Sequence, residues 1–386
     1  MRSLTWPEVW GRRLARHALL APRPQEDLVE VVRGVCGIHA QMMSAAEVSI
    51  GVRVTGVTGQ DVRAELWQRR SLVKTYGLRG TVHVFPADEW PLWMAALRAN
   101  SRANEARWLA QMGLEVAQKE AIVTAIGEAL DGRCLTREAL GVEVARRAGA
   151  FASDAVSPAF GGHWPRWQMV IGAAANAGLL CFGPNEGTKV TFVRPDQWLG
   201  GDWDEVDEAA ALREVLRRYL AAYGPATHRD FAQWFGMQPN VALALTHELA
   251  DELEEVEVEG YRAWLPASEA ADSWPPAQGV VRLLPHFDCY LIGCHPRDRL
   301  VPDAWAKRVL TRGSIGNLPL LVIDGVVAGV WQRRRRGRRL DILVEAFQPL
   351  SAEQQRKLEA EVMRIGVIVG AESALSLGAI DARPHL

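Results

Sequence analysis

Between Ala209 and Leu265 the spacing of apolar residues changes from helical to alternating, and this change marks a compact structural unit. Leu212, Val215, Leu216, Tyr219 and Leu220 recur on one helical face. Tyr223-Gly224-Pro225 ends that helix, and Thr227 is a candidate N-cap for a second one lined by Phe231, Trp234 and Phe235. Gly236 breaks the second helix, and Pro239 through Leu253 is predicted to form a third. Glu255 to Leu265 then alternates as two short strands about Gly260. Helices followed by a hairpin make a winged-helix unit.

The theme recurs upstream. Thr136 should cap a helix through Ala148, and Trp167 to Leu180 another that contains Gly172-Ala173-Ala174-Ala175. Leu180-Cys181-Phe182 and Val190 to Val193 then pair across a turn rich in Gly, Pro and Asn. A first instance covers the N-terminal stretch. It has helices from Pro7 and Gln25, another from Thr58 to Arg70, and strands around Lys74-Thr75-Tyr76 and Thr81 to Phe85. Ala87 to Ala129 is helical and links the first two units.

Beyond the loop Trp274-Pro275-Pro276 the pattern turns strand-rich, from Gly279 to Gly293. Leu318 to Phe347 reads as a three-stranded meander whose first turn, Asp324-Gly325, is a two-residue hairpin signal. A terminal helix from Glu353 to Ile368 places Leu358, Val362 and Ile365 on one face. The expected fold class is α+β, mainly α, with tandem winged-helix units (helix-turn-helix plus β-hairpin) and a C-terminal β-rich region. The expected division is 1–115, 116–204 and 205–270 for the three units, the first carrying linker helices, and 271–386 for the remainder.

Length and composition fit that picture. A chain of 386 residues exceeds one ordinary core. No apolar run approaches the roughly eighteen residues needed to span a bilayer. Met1 to Pro7 also lacks a signal-peptide core, so a cytoplasmic protein without membrane partners is expected. Five scattered cysteines (Cys36, Cys134, Cys181, Cys289, Cys294) suit buried free thiols in a reducing compartment. The net charge of −2 gives no global attraction to nucleic acid, so any such binding must rest on local patches. Only five of the 44 basic residues are Lys, which most simply reflects a GC-rich genome. Of fifteen tryptophans, Trp164, Trp167, Trp234 and Trp305 fall at apolar helical positions and are expected in the core.

Three constellations could carry chemistry. His39 and Gln41 lie two positions apart in Gly37-Ile38-His39-Ala40-Gln41. In an extended segment both would face one cavity, whereas on a helix they would diverge by about 200°. The alternative is a His39 hydrogen-bonded at a helix end, with Gln41 merely exposed. Arg333, Arg334, Arg335, Arg336, Arg338 and Arg339 crowd seven residues at a predicted hairpin tip. Such a tip suits a DNA groove or successive phosphates, with a solvated turn as the alternative. Third, Pro285-His286-Phe287-Asp288-Cys289-Tyr290 is followed by Cys294 and His295. Tyr290 to Gly293 read as apolar and strand-like, unlike a zinc loop, and a Cys-x4-Cys spacing is at the edge of the usual range, so no metal is assigned. Gly161-Gly162-His163-Trp164 reads as a loop without an assigned role.

The His39-Ala40-Gln41 triplet, the run Ser49 to Val54, Leu78-Arg79-Gly80-Thr81-Val82-His83-Val84-Phe85 and the Pro285 to Tyr290 segment together resemble bacterial winged-helix DNA glycosylases of the AlkZ and YcaQ type. The resemblance spans most of the chain. It implies that His39 and Gln41 are catalytic and that a hairpin in the last third contacts DNA. Gln41, where YcaQ-like members carry Asp, points to the AlkZ-like branch. Asp288 is implied as a second-tier cavity residue, while Cys289 replaces a common acidic residue and its role stays open.

The resemblance further implies hydrolysis of bulky N7-alkylpurine adducts in double-stranded DNA, by a monomer that needs no cofactor and serves self-resistance to a DNA-alkylating natural product. Such cleavage passes through an oxocarbenium-like sugar, and an N7-alkylated guanine already carries the charge that helps it leave. A neutral His can take the proton of the attacking water, while an amide holds the water and the sugar. No Lys lies near the triplet, so a Schiff-base, strand-cleaving route is not indicated. Two other readings remain open at this point: a winged-helix transcriptional regulator without catalysis, and a protein that sequesters a toxin.

Overall fold

The computed structural model describes residues 2–159, 162–201, 203–269, 271–311 and 313–381. They fall into two compact units, Met1–Ala64 with Leu216–Leu386, and Glu65–Val215. The architecture is tandem winged-helix units with a β-rich C-terminal region, as the apolar periodicity predicts. Among the described residues no helix is long and apolar enough to cross a membrane.

In the Glu65–Val215 unit, helices Val116–Ala129, Arg137–Ala148 and Arg166–Asn176 precede the hairpin Cys181–Glu186 and Lys189–Val193. Thr136 is the N-cap of the middle helix, its hydroxyl accepting from the Ala139 N–H at 3.3 Å. The two residues Leu135–Thr136 also pair with the second hairpin strand, opposite Phe192 and Thr191. The same device recurs in the other unit. There Thr227 caps helix His228–Phe235 through a capping box with Asp230, and Ala226 bridges Trp264 on the second hairpin strand. The helix start and the wing are thus fixed by one local pattern, used twice.

The larger unit uses its N-terminus to extend a wing. Arg2–Leu4 adds a parallel strand to the hairpin Leu253–Val258 and Tyr261–Pro266, and Leu4 and Trp6 pack with Val256, Val258 and Leu265. Helix Trp6–Arg16 then carries two arginines into the interior. Arg12 donates to the carbonyls of Gly224 (2.7 Å) and Ala221 (2.9 Å) and pairs with Glu269, so it caps the end of helix Glu208–Tyr223. Arg13 donates to Tyr223, Pro225 and His295 carbonyls. A buried guanidinium is tolerated because carbonyls and a carboxylate replace its water.

The C-terminal meander forms as expected, from Leu320–Ile323, Val326–Arg336 and Arg339–Ala346. Asp324 and Gly325 both take positive φ (50° and 87°), as a tight hairpin turn requires. Val281–Leu284 pairs at one edge. After helix Ala352–Val369, strand Glu372–Leu377 returns parallel to Arg339–Ala346 and completes five strands, a strand the apolar pattern did not reveal. The helix buries Leu358, Val362 and Ile365 as predicted. Its Ile368 packs over Gly51, where a Cβ would approach to 2.5 Å.

Several expectations need correcting. Tyr290 to Gly293 are not a strand: Cys289–Gly293 is a short helix, started by Asp288, whose carboxylate accepts from the Tyr290 N–H. The helix after Pro239 stops at Glu248, and Leu253 already begins the wing. Trp164 is 48% exposed, because it lies on strand Gly162–Pro165, paired with Ala155–Ala159, and not on a helix. The proposed loop there is thus largely strand, with Gly161 outside the described residues. All five cysteines are free, but Cys134 is exposed.

Candidate active site

The His39 segment connects two helices. Helix Leu28–Gly34 ends in a turn where Cys36 and Gly37 both have positive φ (62° and 89°), which redirects the chain into the short strand Ile38–His39. The triplet therefore begins extended, the geometry in which alternate side chains share a face. His39 is buried, at 7% exposure, and Ala40 is fully buried. Gln41 is exposed at the bend before helix Met43–Gly51. The triplet thus runs from the interior to the surface.

Phe287 packs against this segment. Its ring lies 4.7 Å from the His39 imidazole, centroid to centroid, at 33°. Asp288, next in sequence, does not point a free carboxylate at the triplet. It forms a bidentate pair with Arg53, 2.7 Å from Nη2 to Oδ1 and 2.8 Å from Nη1 to Oδ2. Ser49 donates to Oδ2 at 2.6 Å, and the Tyr290 N–H donates to Oδ1 at 3.0 Å. Every strong demand of the carboxylate is met inside the protein. Burial alone would lower the Arg53 pKa, but the charges of Asp288 and its neighbours reverse the shift and raise it. The ion pair ties the Phe287-Asp288 turn to the turn just beyond helix Met43–Gly51, and Ser49 ties it to the helix itself, which begins two residues after Gln41.

Glu47 of the same helix accepts from Arg63 Nε at 2.6 Å and Nη2 at 3.2 Å, so helix Gly59–Ala64 is tied to it as well. Cys289 faces inward, with its sulfur 3.9 Å from His17 Nδ1, and burial pushes its thiol up to about 12. It is a neutral packing group at cellular pH.

The arginine hairpin divides into two sets. Arg333 is half-buried and donates to the Ser44 carbonyl at 3.3 Å, which places the base of the hairpin beside the helix that follows Gln41. Burial lowers its pKa and the Glu47 charge opposes that. Arg335 donates to the carbonyls of Gly337 (3.0 Å), Val369 (3.1 Å) and Gly370 (3.4 Å), capping the terminal helix. Arg339 pairs with Asp341 at 2.7 Å on the surface. Arg334, Arg336 and Arg338 are exposed about the turn at Gly337.

The structure therefore brings His39 and the Asp288 segment together, joined through Phe287, and brings Arg333 to the helix after Gln41. Sequence reasoning did not find the parts played by Ser49, Arg53 and Phe287. The four-residue spacing of Ser49 and Arg53 was the available signal: from just beyond the helix, the Arg53 guanidinium donates back to the Ser49 carbonyl at 2.7 Å.

Known proteins match this chain over most of its length. A family profile described as DNA glycosylase AlkZ-like matches residues 32–367. The Interstrand DNA cross-link repair glycosylase of Streptomyces sahachiroi is 32% identical over 336 residues, covering 85% of this chain and 88% of that protein. The solved structure of Streptomyces sahachiroi DNA glycosylase AlkZ superposes with a TM-score of 0.82 at 27% identity, covering 98% of this chain and all of that one. These matches decide against a regulator without catalysis and against a sequestering protein. The chain belongs to the AlkZ-like DNA glycosylases, hydrolases that cleave N-glycosidic bonds of DNA.

Proposed function

We propose that the protein excises bulky N7-alkylpurine adducts from double-stranded DNA and protects its host against a DNA-alkylating natural product. Within this reading His39 orients the attacking water and takes its proton, and Gln41 holds the water and the deoxyribose. The water oxygen bonds to C1′ as the C1′–N9 bond breaks. The bonding electrons pass to the already cationic N7-alkylguanine, which leaves neutral. Such a leaving group needs little acid catalysis, which fits a site offering one imidazole and one amide.

The observation that carries the reading is the passage of His39-Ala40-Gln41 from a buried strand to an exposed bend, with the Phe287 ring against His39. Gln41 is thereby offered at a surface that DNA can reach, with the buried His39 two residues behind it. Asp288 acts behind this pair as an anchor. Arg334, Arg336 and Arg338 supply phosphate contacts, while Arg333 and Arg335 hold the hairpin in place through the Ser44 and Val369 carbonyls, and Arg339 is engaged by Asp341 on its own strand. The functional division keeps the catalytic segment in 1–115, winged-helix units in 116–204 and 205–270, and the basic hairpin in 271–386. The protein acts as a cytoplasmic monomer.

Two duplexes test the reading, one with a single N7-methylguanine and one with an interstrand cross-link through guanine N7, the Streptomyces relative being named for interstrand cross-link repair. Free alkylguanine should be released, leaving an intact abasic strand that breaks only on added alkali. The first Lys of the chain is Lys74, and borohydride should trap no enzyme–DNA adduct. Binding of both duplexes without base release would overturn the proposal.

A further inference from the structure

Phe287 has φ of 57°, in the left-handed region that a bulky side chain adopts only when its surroundings impose it. Those surroundings are specific. The Phe287 N–H donates to the Gly316 carbonyl at 2.9 Å. Gly316 itself has φ of 106°, and a Cβ there would lie 3.3 Å from Phe287 Cα. On the other side, Asp288 is locked by Arg53, Ser49 and the Tyr290 N–H. The outcome of this strained turn is the ring contact with His39 at 4.7 Å.

We infer that Phe287 is a positioning residue for base excision, holding the plane of the His39 imidazole through a left-handed turn clamped by Gly316 and the Arg53–Asp288 pair. The second torsion of a histidine is broad and roughly two-fold, so a ring on a short strand does not fix its own plane. A general base works only when its lone pair is aligned with the proton it takes, and small misplacements are costly. An aromatic ring set at 33° against one side of the imidazole narrows that freedom. The inference rests on His39 acting as proposed above.

The test is a double-mutant cycle under single-turnover conditions with N7-methylguanine duplex, combining Phe287→Gly with His39→Ala. Glycine accepts the positive φ, so the turn survives while the ring is lost. Phe287→Gly should slow excision by about ten- to a hundred-fold, with DNA affinity and thermal midpoint little changed. Phe287→Tyr, which keeps the ring, should recover most of the rate. In the His39→Ala background, Phe287→Gly should add almost nothing, because the group it positions is gone. A wild-type rate for Phe287→Gly overturns the inference. So does an equal loss in both backgrounds, which would mean that the ring acts on DNA or on the fold. If His39→Ala itself excises at the wild-type rate, the catalytic assignment of His39 fails first and this inference with it.

Discussion

Arg53 and Asp288 stand 235 positions apart, yet they form a bidentate ion pair with both side chains fully shielded from solvent. The pair joins the turn just beyond helix Met43–Gly51 to the turn that carries Phe287. Removing one partner leaves the other charge buried and uncompensated, which typically costs about 3–5 kcal/mol. Arg53→Ala and Asp288→Ala should each destabilise the protein on that scale in urea unfolding. Replacing both by apolar residues of similar volume should cost much less. A loss below about 1 kcal/mol for either single variant would show that water reaches the pair and screens it.

His17 gives stability a defined pH dependence. Burial, followed by the nearby charges of Arg53, Arg13 and Arg12, lowers its pKa well below the ordinary value. Tyr223 and Tyr290 pack edge-on against its ring, and the Cys289 sulfur is 3.9 Å away. The folded state therefore holds His17 neutral, whereas the unfolded chain binds a proton near pH 6.5. The contribution to stability is complete above that pH and is lost as pH falls below it, towards the folded-state pKa. The slope from this group approaches about 1.4 kcal/mol per pH unit. Unfolding free energies measured between about pH 7.5 and 5.5 should fall for the wild type and fall less for His17→Phe. Equal slopes would mean that His17 is solvated.

The arginine hairpin should separate into contact and anchor residues. Replacing Arg334, Arg336 and Arg338 together by Ala should weaken binding to damaged and undamaged duplex alike. The slope of log K against log salt should drop by roughly 2 to 3 units, at about 0.9 per lost phosphate contact. Arg335→Ala, which frees carbonyls at the end of the terminal helix, should instead lower the thermal midpoint with a smaller change in slope. An unchanged slope in the triple variant would reduce the tip to a solvated turn.

Much of the architecture was legible in local chemistry. Thr136 and Thr227 announced their helices because a threonine hydroxyl satisfies an orphan N–H, and Asp324-Gly325 announced its turn because both residues accept positive φ. Whether His39 is extended or sits at a helix end stayed open in the sequence, because the positive φ at Cys36 that redirects the chain is not a preference of cysteine. What stayed hidden depends on distant partners. Arg12, Arg13 and Arg53 look like surface residues until the carbonyls and carboxylates around them are placed. Arg2–Leu4 and Glu372–Leu377 are strands only because an open edge awaits each. Cys289–Gly293 carries an apolar run that suits strand and helix equally, and the Asp288 cap decided it.

The most direct measurement is single-turnover base release from N7-methylguanine duplex by His39→Ala, Gln41→Ala and the double variant, at saturating enzyme. Positioned proton-transfer groups contribute about 10²- to 10⁴-fold, and a cationic leaving group puts the effect at the low end. Each single variant should therefore lose about ten-fold or more, with folding and DNA affinity nearly intact. Excision at the wild-type rate by the double variant would remove His39 and Gln41 from the chemistry and contradict the account.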